Sequence, residues 1–189
     1  MNATGPALRP MHAGGVLAGP ALTVKTRPGD NLMVHKAIDI AERGDVIVVD
    51  AGGDLTNAII GEMMVTHALS RGVAGFVING SIRDVATISK GKLPVYAAGI
   101  THRGPYKNGP GEINCTIAVA GMVIEPGDLV LGDDDGVVCV PFDALSTVLD
   151  DARAKHKAEI AQMAAIKAGT VNRKWVDSAL TELGCKVIS

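Results

Sequence analysis

Gly61-Glu62-Met63-Met64, followed after a helix and a strand by Arg83-Asp84, brings a helix N-terminus, two carboxylates and a guanidinium within reach of one sheet edge. A helix start attracts anions through its free N–H groups, a guanidinium stays charged with donors in a fixed fork, and carboxylates bind hard cations. That combination suits a site holding a metal-bound 2-oxo acid.

The neighbouring chain must supply the geometry. Val46-Ile47-Val48-Val49-Asp50 is a β-branched run that reads as a buried strand, and Gly52-Gly53 breaks it. Ile59, Ile60, Met63, Met64, Ala68 and Leu69 recur at helical spacing, Gly72 supplies a stop, and Ala74-Gly75-Phe76-Val77-Ile78 reads as the next strand. A helix over residues 61–71 climbs about 15 Å, and five or six strand residues return that distance at about 3.3 Å each. Glu62 and Arg83-Asp84 therefore finish on one side. In a parallel βαβ unit that side is the carboxyl edge of the strands, where open α/β sheets bind ligands.

The 189 residues are enough for one domain with a sizeable core, and 47% hydrophobic content supports a well-buried globule. Aromatic residues make up only 3%, so aliphatic side chains and glycine must fill the interior, as they do in α/β layers. A formal charge of −2 gives no general attraction to nucleic acid, and no stretch interleaves aromatic with basic residues as a base-stacking platform does. Cys115, Cys139 and Cys185 are odd in number and widely spaced, which argues against a disulfide framework and a Cys-x-x-Cys zinc site. The expectation is a cytoplasmic protein with no apolar leader and no membrane span.

Residues 16–26 read as a strand despite Pro20, and Pro28-Gly29-Asp30 turns into a helix over residues 31–43. After Asp84 a short helix is expected to Lys90, then a strand over residues 93–98 ended by Gly99. Residues 101–111, rich in Gly, Pro, Asn and basic residues, form a loop long enough to cover a site. Residues 113–141 alternate apolar runs with the turn signals Pro126-Gly127-Asp128 and Asp133-Asp134-Asp135-Gly136, which predicts several short strands. Helices are expected over residues 143–168 and 174–183. The pattern predicts an α/β layered fold with a mixed sheet, in a single domain over residues 1–189 with C-terminal helices from about 143.

From Gly19 to Pro141 the chain resembles the RraA-like family of 4-hydroxy-4-methyl-2-oxoglutarate/4-carboxy-4-hydroxy-2-oxoadipate aldolases and regulators of ribonuclease E activity. The stretches that carry the resemblance are Gly29-Asp30-Asn31, Gly44-Asp45-Val46-Ile47-Val48-Val49-Asp50, Gly61-Glu62, Arg83-Asp84, Gly109-Pro110-Gly111-Glu112-Ile113-Asn114, Pro126-Gly127-Asp128 and Asp135-Gly136-Val137-Val138. The resemblance implies a swivelling β/β/α fold and a homotrimer or a hexamer of two trimers. In its aldolase branch an acidic residue stands ahead of an Arg-Asp pair at the spacing of Glu62, Arg83 and Asp84.

The chemistry follows from what such a cleavage needs. Breaking C3–C4 of a 4-hydroxy-2-oxo acid leaves pyruvate as an enolate whose oxygen must be stabilised as charge develops. Mg²⁺ or Mn²⁺ held directly by Asp84, with Glu62 holding it through a water, would meet that need. Arg83 suits the enolate oxygen, and the N–H groups of Gly61, Glu62, Met63 and Met64 suit the pyruvyl carboxylate. Oxaloacetate decarboxylation passes through the same enolate and is the companion activity expected. Thr87 stands where the family often has another acidic residue, so the outer shell is expected to differ; the chain also starts almost directly at its first strand, where relatives commonly have a further helix. Glu159 and Glu182 are candidates to complete a neighbouring subunit's site.

Each assignment has a plainer counterpart. Arg-Asp after a strand is often a solvated ion pair, and Glu62 could simply cap helix amides. Met63 and Met64 are expected to be core side chains. Asp50, Gly52, Gly53 and Asp54 could line the pocket or only shape a turn, and Asp133-Asp134-Asp135-Gly136 reads as a hairpin turn because later calcium ligands are missing. The histidines form no zinc motif; His35 is assigned a structural role, while His102, Arg103 and Lys107 could meet distal carboxylates or merely be exposed. The alternative function is a non-catalytic regulator that binds a ribonuclease or its scaffold. A methyltransferase is disfavoured because no complete glycine-rich cofactor loop follows the first strand.

Overall fold

The computed structural model describes residues 2–3, 5 and 7–188. Its strands are β1 (Asn2–Ala3), β2 (Arg9–Pro10), β3 (Leu17–Thr26), β4 (Val46–Asp50), β5 (Ala58–Ile60), β6 (Gly75–Ile82), β7 (Val95–Ile100), β8 (Gly111–Ile113), β9 (Ile117–Val119), β10 (Met122–Ile124), β11 (Leu129–Asp133) and β12 (Gly136–Val140). Its helices are α1 (Leu32–Ile40), α2 (Glu62–Arg71), α3 (Val85–Ile88), α4 (Leu145–Lys167) and α5 (Lys174–Glu182). Two compact units emerge, residues 1–145 and residues 146–189. The second consists of α5 and nearly all of α4; neither helix has a buried residue.

The centre of the first unit is a parallel run in the order β3-β4-β6-β7, with β5 parallel to the end of β6. Antiparallel partners extend it: β11, β12 and β1 beyond β3, β2 beyond β7, and β8 along the end of β3. The mixed sheet expected from the alternation of turns and strands is therefore present. Along β4, Ile47 and Val49 join one apolar cluster with Val34 and Ile38 of α1 and Ala68 of α2. Val46 and Val48 join the other, with Ile117 and Val119 of β9 and Met122 and Ile124 of β10. Successive strand side chains point to opposite faces, so the period of two sorts β4 between helices on one side and a β9–β10 hairpin on the other. The layers are helix, sheet and hairpin.

Several boundaries differ from the sequence reading. Ile59 and Ile60 belong to β5, not to the helix: both are buried, and β5 pairs alongside β6 before Gly61 starts α2. α1 ends at Ile40 because Ala41 leaves helical geometry. β6 runs on to Ile82, and β7 runs through Gly99 to Ile100, since pairing with β6 outweighs the glycine. β1 and β2 precede β3.

The 101–111 loop is tied to the start of α1 by Asp30, which is fully buried. Its Oδ1 accepts the Leu32 N–H at 2.9 Å, and its Oδ2 accepts the N–H groups of Asn108 at 2.8 Å and Gly109 at 3.0 Å. The Arg27 guanidinium lies 3.7 Å away. Burial pushes the Asp30 carboxyl up, but the three N–H donors and Arg27 outweigh it and hold it below the ordinary value of 3.8. A depressed folded pKa stabilises the fold above the unfolded value and loses that contribution as pH falls through the folded one. Asp30→Asn should cost about 1–3 kcal/mol at pH 7, with the gap to the parent narrowing below about pH 4; urea unfolding at both pH values measures it.

Candidate functional site

β5 and β6 end side by side, and the chain leaves each at the same edge. The Arg83 N–H donates to the Ile60 carbonyl at 3.0 Å, which locks the Arg83-Asp84 turn against the Gly61 turn. Gly61 is the N-cap of α2 in extended conformation, and a Cβ there would collide with the Asp84 carboxylate and the Arg83 side chain. Gly72, with φ of 82°, ends the helix in the left-handed region that glycine tolerates.

Asp84 is itself left-handed, with φ of 59°, a conformation that aspartate visits more readily than most side chains. Its backbone carbonyl receives the Thr87 and Ile88 N–H groups, while its carboxylate turns away from α3 toward α2. Oδ2 accepts the Glu62 N–H at 3.0 Å and lies 3.7 Å from Arg83 Nε. Oδ1 has no donor among the described residues. At the helix start, the Met64 and Val65 N–H groups both bond to the Gly61 carbonyl, whereas those of Gly61 and Met63 have no acceptor among the described residues.

These groups border a recess of about 130 Å³. Gly61, Met63 and Met64 form one wall, Arg83 and Asp84 another, and Pro105 and Lys107 reach it from the long loop. Asn31 and His35 contribute from the start of α1. Burial pushes the His35 imidazole down, the Lys107 charge and His67 add to this, and Asp39 opposes it. Burial thus favours the neutral form of the His35 imidazole.

The structure brings Gly61, Met63, Met64, Arg83 and Asp84 to one recess. Glu62 lines an adjoining hollow with Thr87 and Lys92, and its main-chain N–H donates to Asp84. Met64 is buried, but Met63 is 81% exposed, which corrects its expected core placement: at the first turn of α2 it projects away from the sheet. His102 lines a shallow hollow with Thr101 on the other flank of Arg83 and Asp84, while Arg103 contributes a main-chain carbonyl to Ala58. Asp50 and Asp54 serve their own turn, accepting from Gly52 and Thr56. Asp133 to Gly136 is the β11–β12 hairpin turn, with the Asp135 N–H on Asp133 Oδ1 at 2.9 Å. Glu159 and Glu182 lie on α4 and α5 of the second unit.

No cluster of three or more His, Cys, Asp or Glu side chains placed to hold a metal occurs among the described residues. The donor set nevertheless fits Mg²⁺ or Mn²⁺, cations that keep most of their waters and need one or two carboxylates: Asp84 lines the recess, its side chain is 38% exposed, and its Oδ1 has no donor among the described residues. Asn31 received no individual role from the sequence. Its amide contacts residues 28 and 33 positions away, Ile59 and Met64, so no local spacing announces it.

The RraA-like family model, described as Aldolase/RraA, matches residues 1–139. A protein of Halalkalibacterium halodurans named "Putative 4-hydroxy-4-methyl-2-oxoglutarate aldolase" is 41% identical over 84% of this chain and 76% of its own length. A protein of the same name from Burkholderia multivorans is 38% identical over 70% of this chain and 80% of its own. Among solved structures, the RNA-processing inhibitor RraA from Thermus thermophilis superposes with a TM-score of 0.70 at 28% identity, covering 74% of this chain and 85% of that one. The match over residues 1–139, together with the helix–sheet–hairpin layering, places this chain in the RraA-like family.

Proposed function

We propose that this protein is a divalent-metal-dependent lyase, a class II aldolase that cleaves 4-hydroxy-2-oxo acids such as 4-hydroxy-4-methyl-2-oxoglutarate to pyruvate and also decarboxylates oxaloacetate. The observation that carries the reading is the meeting of Arg83 and Asp84 with the unpaired N–H groups at the start of α2. The relatives named as aldolases support the substrate class.

A 2-oxo acid has a carboxylate beside a carbonyl. The Gly61 and Met63 N–H groups receive the carboxylate, helped by the positive end of the α2 dipole. The Arg83 guanidinium then faces the C2 oxygen and stabilises its charge as C3–C4 breaks, where a fixed donor is worth most. Asp84 Oδ1 would hold Mg²⁺ or Mn²⁺, with Glu62 supporting through water. When bound, the metal would supply Lewis-acid stabilisation of developing negative charge and an acidified water. Lys107, at the rim, attracts the carboxylates of the leaving half. We further propose a cytoplasmic homotrimer, alone or paired as a hexamer.

A second reading is a non-catalytic regulator that binds ribonuclease E or an RNA-decay scaffold, favoured by the likeness to the RNA-processing inhibitor. Capture of such a ribonuclease together with absent turnover would establish it in place of the lyase.

Lactate-dehydrogenase-coupled assays with Mg²⁺ or Mn²⁺ should register pyruvate from both substrates, and a chelator should stop it; no metal-dependent turnover with either substrate would sink the lyase reading. Arg83→Ala and Asp84→Ala should each lower kcat/KM by about 100-fold or more with the fold retained by circular dichroism. Gly61→Ala, which pushes the Asp84 carboxylate out of place, should cost activity on the same scale, and wild-type rates in it would contradict the assigned geometry.

A further inference from the structure

We propose that α4 is a docking surface for a second copy of this chain, the two helices packing antiparallel along one face. No residue of α4 is buried. Helices in proteins draw most of their stability from packing an apolar face, so a 23-residue helix with its face open calls for a cover. That face carries a heptad period. Leu149, Ala152, His156, Glu159, Met163 and Ile166 follow one another at alternating spacings of three and four, the period of a two-helix seam. The seam runs about 26 Å. Leu149, Met163 and Ile166 are 51%, 53% and 49% exposed, and Ile160 beside them is 59% exposed.

The order of these residues identifies the occupant, because the seam is complementary to its own reverse. In an antiparallel pair that crosses midway between His156 and Glu159, Leu149 faces the partner's Ile166, Ala152 the partner's Met163, and His156 the partner's Glu159. Apolar groups meet at both ends, and the long Met163 side chain lies against the small Ala152. At the centre an imidazole N–H meets a carboxylate, once on each side of the two-fold axis. Glu159 is free to turn to it. Its contact with Lys155 Nζ on the same helix is 3.7 Å long, the two side chains are 58% and 74% exposed, and such a pair holds little energy. A parallel pair would instead set carboxylate against carboxylate and imidazole against imidazole. Polar residues within a seam select its direction and register in this way. A two-fold contact is isologous, so it cannot close a trimer, and in a three-fold assembly it joins copies of different trimers. The proposal requires neither the lyase reading nor the trimer.

Disulfide trapping on the full chain, with the exposed Cys185 replaced by serine, reads direction and register. Ala152→Cys and Met163→Cys should each run as a single chain on a non-reducing gel, because neither position faces itself. The double variant should run as a dimer that dithiothreitol reverses. Sedimentation equilibrium supplies an independent arm. Met163→Asp should raise the dissociation constant of the pair at least about tenfold, with helix content by circular dichroism retained. His156→Glu sets two carboxylates against each other and should do the same, whereas adding Glu159→His to it should bring the constant back to within about threefold of the parent. Cross-linking of either single variant would mean parallel pairing and overturn the proposal. So would a double variant that does not cross-link, a mass indifferent to Met163→Asp, or an exchange of His156 and Glu159 that restores nothing.

Discussion

The hydrogen bond from the Glu62 N–H to Asp84 Oδ2 joins two crossovers whose flanking strands β5 and β6 already pair at their ends. It ties the start of α2 to the turn after β6, and it exists only because Gly61 presents no side chain where the carboxylate lies. The same bond occupies one carboxylate oxygen and leaves the other free. It also settles which helix amides stay available, since Glu62's is used and those of Gly61 and Met63 are not. A contact of ordinary length thereby sets the polarity of the whole recess: donors along α2, a cation at Arg83, and one acceptor from Asp84.

The recess has a second boundary, fixed by a different acid. Asp30 gathers main-chain donors from both α1 and the long loop, so the position of Lys107 relative to His35 and Asn31 depends on a buried carboxylate that faces no substrate. Division of labour between the two acids follows from solvent. The one out of water spends its lone pairs on backbone and shapes the site, while the half-exposed one retains a lone pair for chemistry.

Much of this was legible in the residues. The β-branched run of β4, the stop at Gly72 and the return distance of β6 place Arg83-Asp84 beside the α2 start with arithmetic alone. Ile59 and Ile60 misled because apolar residues before a helix continue its period by chance, and only pairing with β6 reveals β5. The exposed Met63 and the place of Glu62 at the adjoining hollow were hidden for a related reason: spacing gives the face of a helix but not where its first turn meets the layer beneath. The contacts of Asn31 with Ile59 and Met64 and of Asp30 with Asn108 and Gly109 lay beyond local reading, since these partners are far along the chain.

Arg83 and Asp84 are 43% and 38% exposed, and their mutual attraction is screened by water, so the fold gains little from either. The core beneath them, by contrast, is apolar and complete without them. Substitution at the pair would therefore meet weak resistance from folding, and a lineage could lose its chemistry by drift while keeping every layer intact. A scaffold so arranged is free to be inherited by descendants that only bind, and a single architecture shared by catalysts and inhibitors is what that freedom allows.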